Sequence, residues 1–164
     1  MGRKLSLLFL LLGCALMLPS LAPANVDRLV VKKSARKLFL FEGEKLLRSY
    51  SVALGKNPVG HKERRGDLRT PEGRYLLDWR NPQSRFYRSI HISYPNESDR
   101  RRAATKGVHP GGDIMLHGVP ARYRDDQEFI IGINWTEGCI AVTNEAMDEI
   151  WSLVADNTPI EILP

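Results

Sequence analysis

The chain has 164 residues, a length that suits one domain, and its 24 Lys and Arg residues outnumber its 19 Asp and Glu residues, giving a formal net charge of +5. The basic residues are scattered among the acids, and no run of Lys and Arg is interleaved with aromatic residues. This pattern is typical of a solvated surface and gives little support to nucleic-acid binding.

The first residues have the composition of a secretory signal peptide. A short positive stretch precedes a nearly continuous apolar run over residues 5–18, and Ala-Pro-Ala at 22–24 supplies a small-x-small cleavage pattern. We therefore predict an exported protein with a signal peptide over residues 1–24 and a single domain over residues 25–164. Two alternatives stay open. One is an uncleaved anchor, although the apolar run is shorter than the roughly 20 residues that span a bilayer, and the other is a lipoprotein modified at Cys14.

The cysteine count becomes informative once this segment is removed. Cleavage after Ala24 leaves 140 residues, enough for one packed core, and takes away two basic residues and no acid, so the net charge falls to +3. Cys14 leaves with the signal peptide, and Cys139 remains without a partner. An unpaired thiol in an oxidising compartment is either buried as an apolar core residue or used chemically, and the count alone favours neither.

From residue 26 onward, apolar and polar residues alternate in the manner of β-strands. Turn residues separate the runs. Glu-Gly-Glu at 42–44 predicts a hairpin, and the charged segment 61–70 predicts a loop. Strands are predicted over residues 29–31, 37–41, 46–54, 73–79, 90–94, 113–116, 140–142 and 160–162.

Fewer segments have helical patterns. Residues 98–106 predict a short polar helix capped by its first serine, and residues 123–133 fit a short helix or a 3₁₀ turn. Asn144 is the predicted N-cap of a helix that ends near residue 156, with an apolar face made of Met147, Ile150, Trp151 and Val154. Many short strands without regular strand–helix alternation predict a mainly β fold with short helices (α+β), either a β-sandwich or a partly closed barrel.

Two short stretches carry candidate chemistry. Cys139 follows Gly138, and His117 stands at the end of a predicted buried strand, directly before Gly118. A thiol and an imidazole are the nucleophile and base of thiol catalysis, which also needs hydrogen-bond donors for an oxyanion. The backbone N–H groups of Cys139 and Gly138 are the candidate donors, because a glycine lets a substrate carbonyl approach the main chain closely. Taken singly, a buried Cys and a structural His remain the alternative interpretations.

The spacing of these residues resembles a known signature. Eighteen residues separate His117 from Thr-Glu-Gly-Cys-Ile at 136–140, and this pattern resembles that of the L,D-transpeptidase catalytic domain, the YkuD-type fold, in its short periplasmic branch. The resemblance runs from residue 26 to the end of the chain, and motifs that are weak singly are specific together. Further segments that resemble the family, including its Thr-Pro-x-Gly turn, lie at residues 50–55, 66–75, 89–96 and 110–118.

The resemblance implies a periplasmic cysteine L,D-transpeptidase that acts on peptidoglycan stem peptides. Cys139 would attack the carbonyl of the third, diamino-acid residue of a tetrapeptide stem, releasing the terminal D-alanine and leaving a thioester. His117 would take up the thiol proton and return it to the leaving amine. An amine from another stem, forming a 3–3 cross-link, or from a lipoprotein lysine would then resolve the acyl-enzyme. The implied enzyme needs no cofactor and no metal, and a monomer is expected.

Two positions depart from the family pattern. Many members have His in the position of Glu137, and Arg or Asn in that of Ala141. These departures leave open a cysteine hydrolase of the same fold, either an L,D-carboxypeptidase or an amidase that cuts peptidoglycan–lipoprotein links. A non-catalytic peptidoglycan-binding module with a buried Cys139 is the alternative of a different class.

Other residues are candidates for substrate binding, and each also has a structural explanation. A threonine in a turn often caps the local backbone, an aspartate caps turns, and a solvated surface is the usual environment of arginine. The histidines lack the close spacing of a metal-ligand set, so no metal site is predicted. The candidates for substrate binding are Thr136, Gly118, Asp113, His91 and Arg69.

Overall fold

The computed structural model describes residues 25–164, which form eight strands, three short α-helices and one 3₁₀ helix. The helices are α1 (Glu97–Thr105), α2 (Gln127–Ile131) and α3 (Asn144–Leu153), and the 3₁₀ helix covers Ala121–Asp126. The strands are β1 (Arg28–Lys32), β2 (Lys37–Glu42), β3 (Lys45–Ser51), β4 (Gly73–Ser84), β5 (Tyr87–Ile92), β6 (Met115–His117), β7 (Ile140–Ala141) and β8 (Thr158–Leu163).

All eight strands belong to one sheet, in the order β3-β2-β1-β8-β4-β5-β6-β7. The last strand in the chain, β8, lies in the middle of the sheet, parallel to β1 and antiparallel to β4. β6 and β7 are parallel neighbours at one edge. Isolated bridges from Ala53 to Ala141 and from Gly55 to Thr136 join the segment after β3 to the region of β7. The sheet therefore curls until its two ends approach each other.

Apolar residues on the inner face of the curled sheet form the main core. Alternate residues are fully buried, as in Leu29 and Val31 of β1, because successive side chains of a strand point to opposite faces. α3 packs onto this core through the fully buried Met147 and Ile150. A second, smaller cluster fixes α2 beside β7, and its buried members are Ala53, Val119, Ile130, Ile131 and Ala141.

The predicted fold class, mainly β with short helices, is confirmed. Of the two arrangements predicted for it, the partly closed barrel describes the molecule, since the strands form a single curled sheet. The predicted hairpin joins β2 and β3 through Gly43, which has a φ of +55°. β4 is longer than predicted and continues to Ser84, because it pairs with β8 along its first residues and with β5 along its later ones.

Two helix caps differ from their predicted positions. The N-cap of α1 is Asn96, two residues before the predicted serine, and it exchanges hydrogen bonds with Asp99 in a capping box. The N-cap of α3 is Thr143 rather than Asn144. The Asn144 side chain instead accepts a hydrogen bond from the backbone N–H of Val119 at 2.7 Å. That contact ties α3 to the loop that follows β6.

The predicted signal peptide over residues 1–24 lies outside the described residues. Within residues 25–164, no helix combines the length and the apolar character needed to cross a bilayer. The longest, α3, has ten residues.

Candidate active site

The parallel strands β6 and β7 bring His117 and Cys139 together. β6 ends at His117, and Cys139 directly precedes β7. The register pairs His117 with Ala141, so Cys139, two residues earlier, lies beside Met115 and on the same face as His117. The backbones of two residues in such diagonal positions on neighbouring strands are roughly 7–8 Å apart, and a long or aromatic side chain bridges this separation.

The His117 ring is held in one tautomer by its neighbours. Its Nδ1 lies 2.6 Å from the backbone carbonyl oxygen of Gly118. A carbonyl oxygen only accepts hydrogen bonds, so Nδ1 carries the proton and donates it, and Nε2 keeps its lone pair. Phe86 and Trp135 pack around the ring, with centroid distances of 4.7 and 5.7 Å. The imidazole is therefore fixed in the form that a general base requires.

Burial lowers the pKa of His117 to about 4, because the loss of surrounding water disfavours the charged imidazolium. The hydrogen bond to the carbonyl of Gly118 acts in the opposite direction and offsets part of this pKa change. His117 is only 2% exposed, so little solvent screens the effect. At neutral pH the ring is uncharged and can accept a proton.

This depressed pKa predicts that acid destabilises the fold. The unfolded chain takes up a proton on His117 near pH 6.5 and the folded chain only near pH 4, so the free energy of unfolding falls as the pH drops through this window. This difference between the two pKa values corresponds to roughly 3 kcal/mol in the free energy of unfolding. Urea unfolding from pH 7 to pH 4 measures it in the wild type and in His117→Gln. The variant should lose about 3 kcal/mol less over this range; equal losses in the two proteins would contradict the buried, neutral ring.

Burial raises the pKa of the Cys139 thiol, and the carboxylates of Asp113 and Glu137 add to this effect. The backbone N–H of Met115 and the ammonium of Lys62 act in the opposite direction, since both stabilise the thiolate. The Sγ–H group donates to the backbone carbonyl oxygen of Asp113, with Sγ and oxygen 3.6 Å apart. The resting site thus holds a neutral thiol beside a neutral imidazole, and reaction requires transfer of the thiol proton.

Gly138 occupies a position that other residues do not fit. Its φ is +133°, and a Cβ atom there would lie 2.6 Å from the backbone carbonyl oxygen of Arg69. Its own N–H donates to Thr136 Oγ1 at 3.2 Å. This N–H is engaged inside the turn, and its role in binding an oxyanion stays a prediction. The backbone N–H of Cys139 is the other predicted donor.

Replacing Gly138 by alanine is expected to destabilise the protein by roughly 2–5 kcal/mol, since a strained φ is combined with overlap against main-chain atoms. The matched control is Gly112→Ala. Gly112 also lines the cleft, but a Cβ there meets no atom within 4 Å and its φ is ordinary. That variant should stay within about 0.5 kcal/mol of the wild type. Urea unfolding compares the two, and similar stability in both variants would show that the turn at Gly138 can relax.

Thr136 is buried in the same turn, and its hydroxyl makes two hydrogen bonds. Oγ1 donates to the carbonyl oxygen of Cys139 at 2.7 Å and accepts from the N–H of Gly138. Backbone hydrogen bonds with Leu54 and Lys56 hold the turn against the segment after β3. Although Thr136 lines the cleft, its hydroxyl proton is already engaged. It shapes the turn around the thiol, and its role in substrate binding stays a prediction.

His117 and Cys139 both line a cleft of about 760 Å³. Lys62 is almost fully buried in the cleft wall, and its ammonium is paired with the Asp67 carboxylate at 2.7 Å. Among the described residues, the other cations of the wall have no buried carboxylate as an ion-pair partner. An excess of positive charge in a cleft concentrates anionic ligands. The charged residues of the wall are the acids Asp113 and Glu137 and the cations Lys56, Lys62, Arg65, Arg85 and Arg122.

Residues 26–162 match the model of the YkuD family, the L,D-transpeptidase catalytic domain. The chain belongs to this family. The resemblance found in the sequence is thereby confirmed over almost all of the described residues.

Relatives of this transpeptidase-family chain share its sequence and its fold. A protein named "Putative L,D-transpeptidase YafK" from Escherichia coli K12 is 34% identical over 129 residues, which covers 74% of this chain and 44% of YafK. The helical cell shape determining protein Pgp2 from Campylobacter jejuni superimposes with a TM-score of 0.63 at 26% identity, covering 85% of this chain and 48% of Pgp2. Bd1075 from Bdellovibrio bacteriovorus has a TM-score of 0.61 at 25% identity, with coverages of 85% and 48%. The chain spans less than half the length of each of these proteins.

Neither His91 nor Arg69 is among the residues that line the cleft, and their roles in substrate binding stay predictions. His91 stacks on Trp79, with centroids 4.9 Å apart, and its Nδ1 lies 2.7 Å from the Asp78 carboxylate. The Arg69 guanidinium donates to the backbone carbonyl oxygen of His61 at 3.4 Å, outside the cleft wall. Within residues 25–164, no group of three His, Cys, Asp or Glu side chains lies close enough to hold a metal ion.

Gly118 and Asp113 contact His117 and Cys139 through their main-chain carbonyl groups. A Cβ at Gly118 would lie 2.4 Å from Asn144 Oδ1, so the residue is needed for packing, and its carbonyl oxygen orients the neighbouring His117. Asp113 has a φ of +55° and lines the cleft, and its carbonyl oxygen accepts from Cys139. The Asp113 carboxylate adds negative charge to the wall, and the roles of both residues in substrate binding stay predictions.

The aromatic residues around His117 were not predicted as site residues. Phe86 lies in the turn between β4 and β5, where the sequence has no periodic signal. Trp135 directly precedes the Thr-Glu-Gly-Cys motif, and this position in the sequence could have identified it as a residue of the site. Its indole N–H is buried and has no hydrogen-bond partner within residues 25–164. A buried donor without a partner in a cleft wall is available to a bound ligand.

Proposed function

We propose that residues 25–164 form a cysteine L,D-transpeptidase that acts on peptidoglycan stem peptides through a thioester acyl-enzyme. One observation carries the proposal. The thiol of Cys139 and the ring of His117 lie on the same face of two paired strands and line the same basic cleft. The leader over residues 1–24 exports the domain to the periplasm. Every residue in the mechanism comes from one chain, so a monomer is sufficient.

The acylation step uses the neutral pair described above. As Cys139 Sγ bonds to the carbonyl carbon of the third stem residue, His117 Nε2 takes up the thiol proton. The carbonyl oxygen becomes an oxyanion, for which the backbone N–H of Cys139 is the donor. When the tetrahedral intermediate collapses, the C–N bond to the terminal D-alanine breaks, and the imidazolium of His117 gives its proton to the leaving amine. A thioester remains on Cys139.

The second step, in which an amine removes the acyl group from the enzyme, again uses His117 and Cys139. The amine of another stem peptide, or of a lipoprotein lysine, attacks the thioester carbonyl, and His117 takes up the proton that the amine loses. The C–S bond then breaks, and the proton returns to the sulfur of Cys139. Attack by a second stem gives a 3–3 cross-link. Both steps need a neutral imidazole at the start, which the lowered pKa of His117 provides at neutral pH.

The wall of the cleft suits an anionic peptide. A tetrapeptide stem carries several carboxylates, and its terminal D-alanine contributes one next to the bond that breaks. Arg85 and Arg122 lie on segments that flank the aromatic residues around His117, where their charge attracts these carboxylates. The unpartnered indole N–H of Trp135 offers a further donor to the stem.

Hydrolysis is the second candidate reaction, and Glu137 favours it. Its carboxylate lines the cleft two residues before the nucleophile, where it can activate a water molecule for attack on the thioester. Ala141 marks a further departure from the family pattern. It is fully buried and exchanges two backbone hydrogen bonds of 2.9 Å with Ala53, so a large side chain has no room there. With water as the acceptor, the enzyme is an L,D-carboxypeptidase or an amidase.

The deciding experiment incubates purified residues 25–164 under reducing conditions with disaccharide-tetrapeptide stems, with and without a second stem as acceptor. Mass spectrometry identifies the products. Loss of D-alanine together with a cross-linked dimer is the expected result. Tripeptide alone would favour the carboxypeptidase. Cleavage only of a peptidoglycan–lipoprotein link, offered in a parallel incubation, would favour the amidase. Absence of any product from all of these substrates would leave a non-catalytic binding module and overturn the proposal.

A further inference from the structure

A row of side chains crosses the outer face of the sheet, from the cleft to an exposed tryptophan. The register of β5 and β6 pairs His91 with Met115, which lines the cleft beside Cys139. On the next strand, an irregularity in the pairing of β4 with β5 places Asp78 and Trp79 opposite His91. Paired residues in a sheet point to the same face. Trp79, His91, Met115 and Cys139 therefore lie in sequence across β4, β5, β6 and the start of β7.

Trp79 forms a rigid aromatic platform at the far end of this row. It is 46% exposed, which is high for so large an apolar side chain. One face of the indole rests on the His91 ring, with centroids 4.9 Å apart and an interplanar angle of 15°. His91 is fixed in turn by the Asp78 carboxylate, 2.7 Å from its Nδ1. Because the Trp79 side chain is already held in place, a ligand that stacks on the exposed indole would cause little further loss of side-chain conformational entropy.

The spacing of the strands sets the distance between platform and thiol. Neighbouring strands lie roughly 4.8 Å apart, so three strand steps separate Trp79 from Cys139 by roughly 14 Å. Three extended residues span at most about 10–11 Å. A stem peptide whose third carbonyl lies at Cys139 and whose first residue extends along the row would therefore end roughly 3–4 Å short of Trp79, a gap that the group attached to that first residue would span. In peptidoglycan that group is a sugar.

We propose that Trp79, together with Asp78, binds the saccharide that carries the stem peptide, an inference that rests on the proposed function. A pyranose ring has a face of C–H groups that stacks on an aromatic ring, and hydroxyl and acetamido groups that hydrogen-bond to a carboxylate. The Asp78 side chain is 32% exposed beside the platform, so its carboxylate is accessible to such groups. The site makes the enzyme prefer stems that are still attached to the glycan over free peptides.

The test compares two substrates, a disaccharide-tetrapeptide and the same tetrapeptide without sugar. Trp79→Ala should raise KM for the disaccharide substrate about three- to tenfold and leave kcat unchanged, with no effect on the free peptide. Trp79→Phe, which keeps an aromatic face, should restore most of the difference. Leu46→Ala is the matched control, because Leu46 is 50% exposed on β3, four strand positions away from β4 in the sheet. It should behave as the wild type with both substrates.

Two results would overturn the sugar site: an equal change in KM for both substrates in Trp79→Ala, or no change for either. A separate measurement does not depend on turnover. The peptidoglycan disaccharide without peptide is titrated into the wild type, and the Trp79 indole resonance, assigned by its absence in Trp79→Phe, is followed by NMR. A saturable shift supports the site even if neither substrate is turned over and the proposed function fails. No shift at millimolar disaccharide overturns it even if the transpeptidase reaction is found.

Discussion

Replacing Cys139 by alanine is expected to abolish both D-alanine release and the covalent intermediate, with a loss of rate on the order of 10⁴ or more. In the proposed mechanism the sulfur of Cys139 forms the thioester, and no second cysteine lies within residues 25–164 to replace it. The measurement is the mass of the intact protein after brief incubation with tetrapeptide stems. The wild type should gain the mass of the tripeptide acyl group, and the variant should gain nothing.

The control for this variant is its stability. The Cys139 side chain makes one weak hydrogen bond, from Sγ to the carbonyl oxygen of Asp113, so the alanine variant should unfold at a urea concentration close to that of the wild type. Inactivity in a folded protein then reports on chemistry. Continued release of D-alanine by a folded Cys139→Ala protein would remove the thiol from the mechanism.

Replacing His117 by glutamine is expected to slow acylation of Cys139 by a factor on the order of 10²–10⁴ at pH 7, because nothing then accepts the thiol proton. The deficit should shrink by about tenfold for each rise of one pH unit, as hydroxide forms the thiolate directly, up to the raised pKa of Cys139. The wild-type rate should vary little above pH 6, since the pKa of His117 is about 4. Single-turnover acylation rates from pH 5 to pH 9 measure both curves.

A different resting state would give a different profile. If Cys139 and His117 formed a thiolate–imidazolium pair, the wild type would react quickly with iodoacetamide at pH 6, and His117→Gln would lose that reactivity. The neutral pair predicts slow alkylation of both proteins at pH 6. Arg85→Gln is the control for His117→Gln, because it changes the charge of the cleft wall and leaves the proton acceptor, His117, in place.

The strands and the position of the His117/Cys139 pair were predictable because their signals are local. Alternation of apolar and polar residues located seven strands to within a few residues, and β4 ended later than predicted only because β5 pairs with its later residues. His117 and Cys139 were identified from residue chemistry and spacing. Their common face follows from the register of β6 and β7, which no local pattern specifies.

The surroundings of the pair depend on contacts between distant segments, which explains why they were not predicted. The hydroxyl of Thr136 could reach either a substrate or the N–H of Gly138, and only the folded turn decides this. His91 appeared as a cleft residue because of its residue type, yet an irregular strand pairing turns its ring onto Trp79. The positive φ of Asp113 likewise arises from the turn that the folded chain imposes on it.

The central position of β8 determines when the sheet can form. β8 is the last of the eight described strands along the chain, yet it supplies the ladder that joins β1 to β4. Without it, the amino-terminal hairpin and the half that carries His117 and Cys139 are connected within the sheet only through isolated bridges. The complete sheet therefore cannot form until residues 158–163 have been synthesised. Contacts between such distant segments favour slow folding.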